Sequence, residues 1–151
     1  MMTEETLGTI TVTQVGIIVQ DIEVKARAWA EVLGLPVPEI MITDTYERAQ
    51  TEYKGQPSNA RAKLAFFHLG QVDLELIEPV GEPSTWQDQL EEYGDSLHHI
   101  AFEIKGMSDT VTYLEAKGLP LVQRGEYPGG RYAYVNGSAQ LGAILELLEN
   151  D

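Results

Sequence analysis

Four residues of this sequence carry metal-binding side chains at matching places in apolar segments: Gln14 in QVGIIV, Glu75 in LELIE, His99 in HIAFEI and Glu146 in LELLE. Successive side chains of a strand point to opposite faces. Val15, Ile17 and Val19 therefore share one face, and Gln14, Gly16 and Ile18 the other. Ile100, Phe102 and Ile104 oppose His99, Ala101 and Glu103; Leu74 and Leu76 oppose Glu75; Leu145 and Leu147 oppose Glu146. A single strand glutamate usually faces water, and a single histidine usually fills an ordinary hydrogen-bonding role. Four such residues in equivalent places, each on the face away from the aliphatic one, point to a shared centre. One amide, one imidazole and two carboxylates suit a borderline divalent cation such as Co, Zn, Ni or Mn. The carboxylates balance its charge, and octahedral positions stay open for water or substrate, as a catalytic metal requires. His98, beside His99, has the parity of the apolar face and is expected at its edge. His68, in LAFFHLG, is expected to be structural.

The equivalence rests on an internal repeat. Residues 14–22, QVGIIVQDI, match 99–107, HIAFEIKGM, in apolar pattern. Residues 29–36, WAEVLGLP, match 113–120, YLEAKGLP, and 74–78, LELIE, match 145–149, LELLE. The offsets are 85, 84 and 71, so the first copy holds about 13 extra residues, placed in the polar stretch TDTYERAQTEYKGQPSNARAK. Each helix ends in Gly-Leu-Pro, where Gly34 and Gly118 suit the left-handed conformation and the proline blocks continuation.

These patterns predict a strand at 10–20, a helix at 22–33 with Asp21 as N-cap, and strands near 39–47, 62–70 and 72–78. Ser84 with Gln87 makes a capping box for a helix at 85–93, ended by Gly94. The second copy follows with a strand at 97–105, a helix at 109–117 with Ser108 as N-cap, and strands near 120–126, 131–136 and 142–149. The turns EYPGGR and VNGS punctuate these last strands. The fold class is α+β: two repeated βαβββ modules forming curved sheets around a central cavity. One domain of 151 residues is expected, with module one at about 10–80, a linking helix at about 84–94 and module two at about 97–149.

Composition narrows the partners. The net charge of −14 argues against nucleic acid and anionic membrane, which need a basic footprint. No cysteine is present, so disulfides and thiolate chemistry are excluded. The stretch MMTEETLGTI shows neither a basic n-region nor an apolar h-region, so no secretory signal is read and a cytoplasmic location is expected. The apolar runs are too short to span a bilayer.

The stretches VGIIVQDIE, AEVLGL, LELIEP, GDSLHHIAFEI and AILELLE resemble the vicinal-oxygen-chelate superfamily, the glyoxalase/bleomycin-resistance/dioxygenase fold, and within it methylmalonyl-CoA epimerase and its relatives. The resemblance runs from about residue 10 to 149. It implies a divalent metal in the cavity, with Gln14, Glu75, His99 and Glu146 as ligands. Epimerases usually carry histidine where Gln14 stands and often glutamine where Glu75 stands; the set here looks like that of some glyoxalase I enzymes. Only His99 remains of the two-histidine, one-glutamate set of extradiol dioxygenases.

The chemistry implied is removal of a proton next to a carbonyl, with Glu146 as ligand and proton-transfer group. A second acid/base is expected from module one, with Glu47 and Glu52 as candidates. Arg48, Lys54, Arg61 and Lys63 concentrate in the same stretch, where they could neutralise the phosphates of a CoA thioester. Tyr127, Arg131, Tyr132 and Tyr134 are placed at the cavity mouth, although Tyr132 and Tyr134 share a face and fit a core equally well. The expected activity is a metal-dependent epimerase or isomerase acting on a small molecule, such as methylmalonyl-CoA. The alternatives are a lactoylglutathione lyase of the glyoxalase I kind and a metal-free binder of bleomycin-type antibiotics. A homodimer is expected.

Overall fold

The apolar faces read from parity become the faces that helices cover. The computed structural model describes residues 5–151; the first four, part of the stretch in which no secretory signal is read, lie outside it. The first copy holds β1 (Val12–Ile18), α1 (Ile22–Leu33), β2 (Met41–Ile42), α2 (Tyr46–Ala49), β3 (Glu52–Tyr53), β4 (Gln56–Pro57), β5 (Arg61–Leu69) and β6 (Val72–Val80). Helix α3 (Thr85–Tyr93) leads to β7 (Ser96–Glu103), α4 (Met107–Ala116), β8 (Leu121–Tyr127), β9 (Gly130–Gly137), α5 (Ser138–Leu141) and β10 (Ala143–Asn150). Among the described residues no helix is long and apolar enough to cross a membrane.

The strands form one curled sheet in the order β2-β5-β6-β1-β7-β10-β9-β8-β3-β4. The first strands of the two copies, β1 and β7, pair antiparallel at its centre. Each also pairs parallel with the last strand of its own copy, β1 with β6 and β7 with β10. The copies thus join edge to edge within one chain.

On the outer face, Ile22, Ala26 and Ala30 of α1 pack on Val19, Ala65, Phe67, Leu74 and Leu76. Leu114 of α4 packs with Ile104, Leu119, Ala133, Val135, Leu145 and Leu147. A third cluster, Ile18, Ala62, Ile77, Trp86 and Tyr134, holds the start of α3 against the inner face.

The caps follow the sequence in part. Asp21 accepts the Val24 N–H at 3.2 Å and Ser84 the Gln87 N–H at 3.0 Å. Gly34 and Gly118 end their helices with φ of 69° and 87°. Ser108, expected as an N-cap, lies inside α4, and Gly106 takes the cap position. The reason is a distant carboxylate: Glu149 accepts the N–H groups of Gly106 and Met107. Glu78 does the same for Ile22 at the start of α1, at 3.0 Å. Each glutamate also pairs with a cation on the adjacent strand, Lys63 with Glu78 at 3.3 Å and Arg131 with Glu149 at 2.7 Å.

Two further expectations change. The strand near 39–47 shrinks to Met41–Ile42. The polar residues after it leave the sheet, wind into α2 and cross to the second copy, where β3 pairs with β8 and β4 closes that edge. The turn VNGS opens into α5 instead of joining two strands directly.

At the centre of the sheet, Gly16 of β1 stands opposite His99 of β7, and the next pair is Ile17 with Leu97. The register slips by one residue, His98 has no partner in β1, and the alternation of β7 breaks there. His98 therefore does not sit at the edge of the apolar face as parity requires; it is buried beside His99, ring against ring at 5.1 Å. Gly16 has no side chain for a related reason. A Cβ there would come within 2.5 Å of Nδ1 and 2.6 Å of Nε2 of His99. Gly16→Ala is expected to fold with the His99 ring pushed from its place, at a cost of about 1–3 kcal/mol. Urea unfolding checks the cost; a stability at or above that of the parent would show that the ring is not confined by β1.

Candidate active site

The four residues singled out in the sequence lie on two neighbouring rows across the centre of the sheet. In one, Glu75, Gly16 and His99 stand side by side on β6, β1 and β7. In the other, Gln14, Ala101 and Glu146 stand side by side on β1, β7 and β10. Each row carries its larger polar side chains on either side of a glycine or an alanine, and that gap lets them lean together over the sheet.

The inner face bounds a cavity of about 570 Å³. Gln14, Glu75, Glu146 and Tyr134 line it from the sheet, with Phe66 and Leu64 on the β5 side and Tyr127, Tyr132 and Glu126 on the far side. Trp86 of α3 closes one end. Thr43, Asp44, Ala49 and Thr51, from the segment that crosses between the sheet edges, complete the lining.

Glu75, His99 and Glu146 are 6%, 2% and 4% exposed. Nε2 of His99 lies 3.4 Å from Oε1 of Glu75 and 3.2 Å from Oε1 of Glu146. Oxygen and nitrogen ligand atoms of all three fall within 4.8 Å of one another. Yet none of these three atoms has a hydrogen-bond partner of acceptable geometry. Buried polar atoms are almost always satisfied, because an unsatisfied one costs free energy. Three orphaned ligand atoms, two of them carboxylate oxygens, converging on one point fit a divalent cation.

The electrostatics agree. Burial favours the neutral form of His99, but the carboxylates of Glu146 and Glu75 outweigh burial and push its pKa up to about 10. The apo site thus recruits a proton as its cation. Burial also raises the pKa of Glu75, and Glu146 adds to that, while His99 opposes it. Burial, and then the charge on His99, hold His98 well below the ordinary histidine range, so it is neutral.

Neutrality fixes the role of His98. Its Nδ1 lies 2.8 Å from Nδ1 of His99, and its Nε2 lies 3.1 Å from Oγ1 of Thr85. In the His99 cation both ring nitrogens carry protons, so His99 donates through Nδ1 to Nδ1 of His98, and His98 donates through Nε2 to Thr85. Loss of the other proton leaves the lone pair on Nε2, the nitrogen facing the two glutamates. Helix α3 therefore sets the aim of His99. Its backbone is tied as well: the Thr85 N–H donates to Gln123 at 2.8 Å, and Gln123 donates to the Tyr132 hydroxyl at 3.1 Å. Trp86 donates to the Tyr134 hydroxyl at 3.1 Å, and the Tyr134 ring lies 5.0 Å and 5.1 Å from the two histidine rings.

Other residues named from the sequence fall elsewhere. Gln14 lines the cavity, half-buried, in the row that also carries Glu146. Glu47 is exposed on α2, and Glu52 is held by Arg124 at 2.9 Å; neither lines the cavity. Of the four cations of the insert, Lys63 pairs with Glu78, Arg61 donates through Nε to the Thr43 carbonyl at 2.9 Å, Lys54 lies over the Tyr53 ring, and Arg48 is exposed on α2. Arg131 is drawn outward by Glu149, whereas Tyr127, Tyr132 and Tyr134 do line the cavity. His68 is exposed and paired with Asp73 at 2.8 Å. Sequence reasoning missed Phe66, Trp86 and Asp44. Phe66 pairs with Glu75 across β5 and β6, so parity could have found it; Asp44 carries no such signal.

The model of the glyoxalase/bleomycin resistance protein/dioxygenase superfamily matches residues 13–135. The uncharacterized protein YqjC of Bacillus subtilis (strain 168) is 34% identical over 94 residues, which cover 59% of this chain and 66% of that protein, just under two thirds of its length. Among solved structures, hypothetical protein BH1468 from Bacillus halodurans C-125 superimposes with a TM-score of 0.65 at 20% identity, over 93% of this chain and 94% of its own. A Streptomyces coelicolor methylmalonyl-CoA epimerase in complex with 2-nitronate-propionyl-CoA superimposes with a TM-score of 0.63 at 19% identity, over 94% and 99%. The paired first strands, the repeated modules and the matched segment lead to one conclusion: this chain belongs to the glyoxalase/bleomycin resistance protein/dioxygenase superfamily.

Proposed function

We propose that the protein is a metal-dependent epimerase or isomerase that moves a proton on the carbon next to a carbonyl, with an acyl thioester as the substrate class. The observation that carries this reading is the convergence of three buried, unpartnered ligand atoms, from Glu75, His99 and Glu146, the two glutamates lining the cavity and the imidazole set behind them. The likeness to an epimerase holding a CoA thioester analogue supports the thioester.

Glu75, His99 and Glu146 would hold the cation, with Gln14 beside them on the lining. A divalent ion there supplies positive charge for the carbonyl oxygen while the neighbouring C–H bond is broken. Glu146 takes the proton from the sheet side. Inversion needs a second group on the opposite face of the planar intermediate. Asp44 is suited to that role: it lines the cavity from the crossing segment, whereas Glu47 and Glu52 stand outside. Trp86, Phe66 and the tyrosines keep water from the reacting carbon. The two-carboxylate set also fits a glyoxalase I type of lyase, which shares the proton step, and a glutathione hemithioacetal separates the two.

Protein purified without chelator or affinity metal is expected to hold a near-stoichiometric divalent ion. His99→Ala and Glu146→Ala are expected to weaken it by more than about 100-fold, since even loss of an outer partner costs 10–100-fold. No uptake on titration would sink the metal reading. The apo His99 is protonated below about pH 10, so binding at Nε2 must displace that proton. Calorimetry in buffers of different ionisation enthalpy should show roughly one proton released per ion near neutral pH, with affinity rising as pH rises. Proton-independent binding would place the ion elsewhere.

A second test follows deuterium entry at the α-carbon of acyl thioesters by NMR. Glu146→Gln should lose exchange by about 100-fold or more. Asp44→Asn should lose inversion yet keep exchange on one stereoisomer. Full inversion in Asp44→Asn would remove that residue from the proton path.

A further inference from the structure

The charge on the cavity wall bears on which acyl group it accepts. Four carboxylates line it, from Asp44, Glu75, Glu126 and Glu146, and among the described residues no lysine or arginine does. Three arginines touch residues of the lining, and each is already committed. Arg61 donates to the Thr43 carbonyl. Arg124 pairs with Glu52 at 2.9 Å and Glu126 at 3.7 Å, and Arg131 with Glu149 at 2.7 Å and Glu126 at 3.6 Å.

The floor offers no surplus positive charge either. Two carboxylates would cancel the charge of a divalent ion bound there, so a further anionic group would leave the floor net negative. An anionic group entering from water would lose its hydration without gaining a charged partner, which is costly. The remaining wall is built for an apolar guest: Leu64, Phe66, Trp86, Tyr132 and Leu148.

We propose, on the reading of the site as a proton-transfer centre, that the reacting end of the substrate is an uncharged, apolar or aromatic acyl group, and that the cavity turns away acyl groups bearing a free carboxylate.

The test uses a matched pair, isobutyryl-pantetheine and methylmalonyl-pantetheine. They share the thioester and the α-methyl group and differ by a methyl against a carboxylate. Neither carries nucleotide phosphates, so the exposed cations of the insert do not enter. Calorimetric titration of the purified protein, with its metal as isolated, should show the isobutyryl compound binding at least about tenfold more tightly. Glu126→Gln removes one of the four lining carboxylates and leaves Arg124 and Arg131 on Glu52 and Glu149, so it should narrow that ratio by about threefold or more. Equal or tighter binding of methylmalonyl-pantetheine overturns the proposal, as does no measurable binding of either. A ratio unmoved by Glu126→Gln overturns the electrostatic basis.

Deuterium exchange on phenylacetyl-pantetheine, uncharged and acidic at its α-carbon, is followed in parallel. A preference for the neutral ligand with no exchange would defeat the proton-transfer reading and leave the assigned ligand class standing. Tighter binding and exchange of methylmalonyl-pantetheine would do the reverse.

Discussion

The constraint on which the rest of the structure depends is the burial of two carboxylates and an imidazole at one point, with their facing atoms unpartnered. Charges are taken out of water only against a strong opposing charge. The fold meets that demand by construction. Gly16 and Ala101 leave room on the two central strands, so that side chains from β6, β7 and β10 can lean over them. The slip of register at His98 then brings a second imidazole beneath the first, and α3 supplies Thr85 to finish the hydrogen-bonded line. Together the bulge and the buried polar end of α3 aim Nε2 of His99 at the two glutamates.

The repeated LELIE and LELLE segments show how one short pattern positions both the site and the shell around it. The first glutamate of each, Glu75 or Glu146, faces the cavity. The second, Glu78 or Glu149, stands three residues on and so faces the other way, where it accepts amide protons at the start of α1 or α4. Leu76 and Leu147, directly after the first glutamate of each, press on those same helices. Ligand and helix start are thus fixed by one strand, and a shift of that strand by one residue would lose both together.

Much of this was legible beforehand because it obeys period two over unbroken strands. The central strands, the two outer helices, α3 with its Ser84 cap, and the inward direction of Glu75, His99 and Glu146 all follow from alternation and repeat. What was not legible depends on pairings that local pattern does not encode. Parity placed His98 on the outer face because parity assumes constant register, and the slip opposite Gly16 breaks it. Ser108 looked like a cap because the true partner of those amides, Glu149, lies about forty residues away. Glu47 and Glu52 are candidates only because the resemblance places a second acid/base in module one, and local pattern does not say which way the inserted stretch runs. Its course is set by β3 pairing with β8 of module two, which turns Glu52 toward Arg124 and leaves Asp44 on the lining.

That crossing segment also breaks the twofold symmetry where function needs it broken. The sheet alone offers nearly equivalent halves, with Gln14 and His99 at matching places and Glu75 and Glu146 at matching places. A symmetric trough would bind a small asymmetric molecule in two orientations. Only module one sends a segment across, and it lands on the far edge of module two. The cavity is therefore lined by Glu75 and Glu146 from the sheet and by Thr43, Asp44, Ala49 and Thr51 from the crossing segment, with Tyr127 and Pro128 of module two. The imidazole stands on one side of the twofold axis and the amide on the other, so the floor is polarised as well. The extra residues of the first repeat thus give the trough two chemically different sides, which the repeated sheet alone would not.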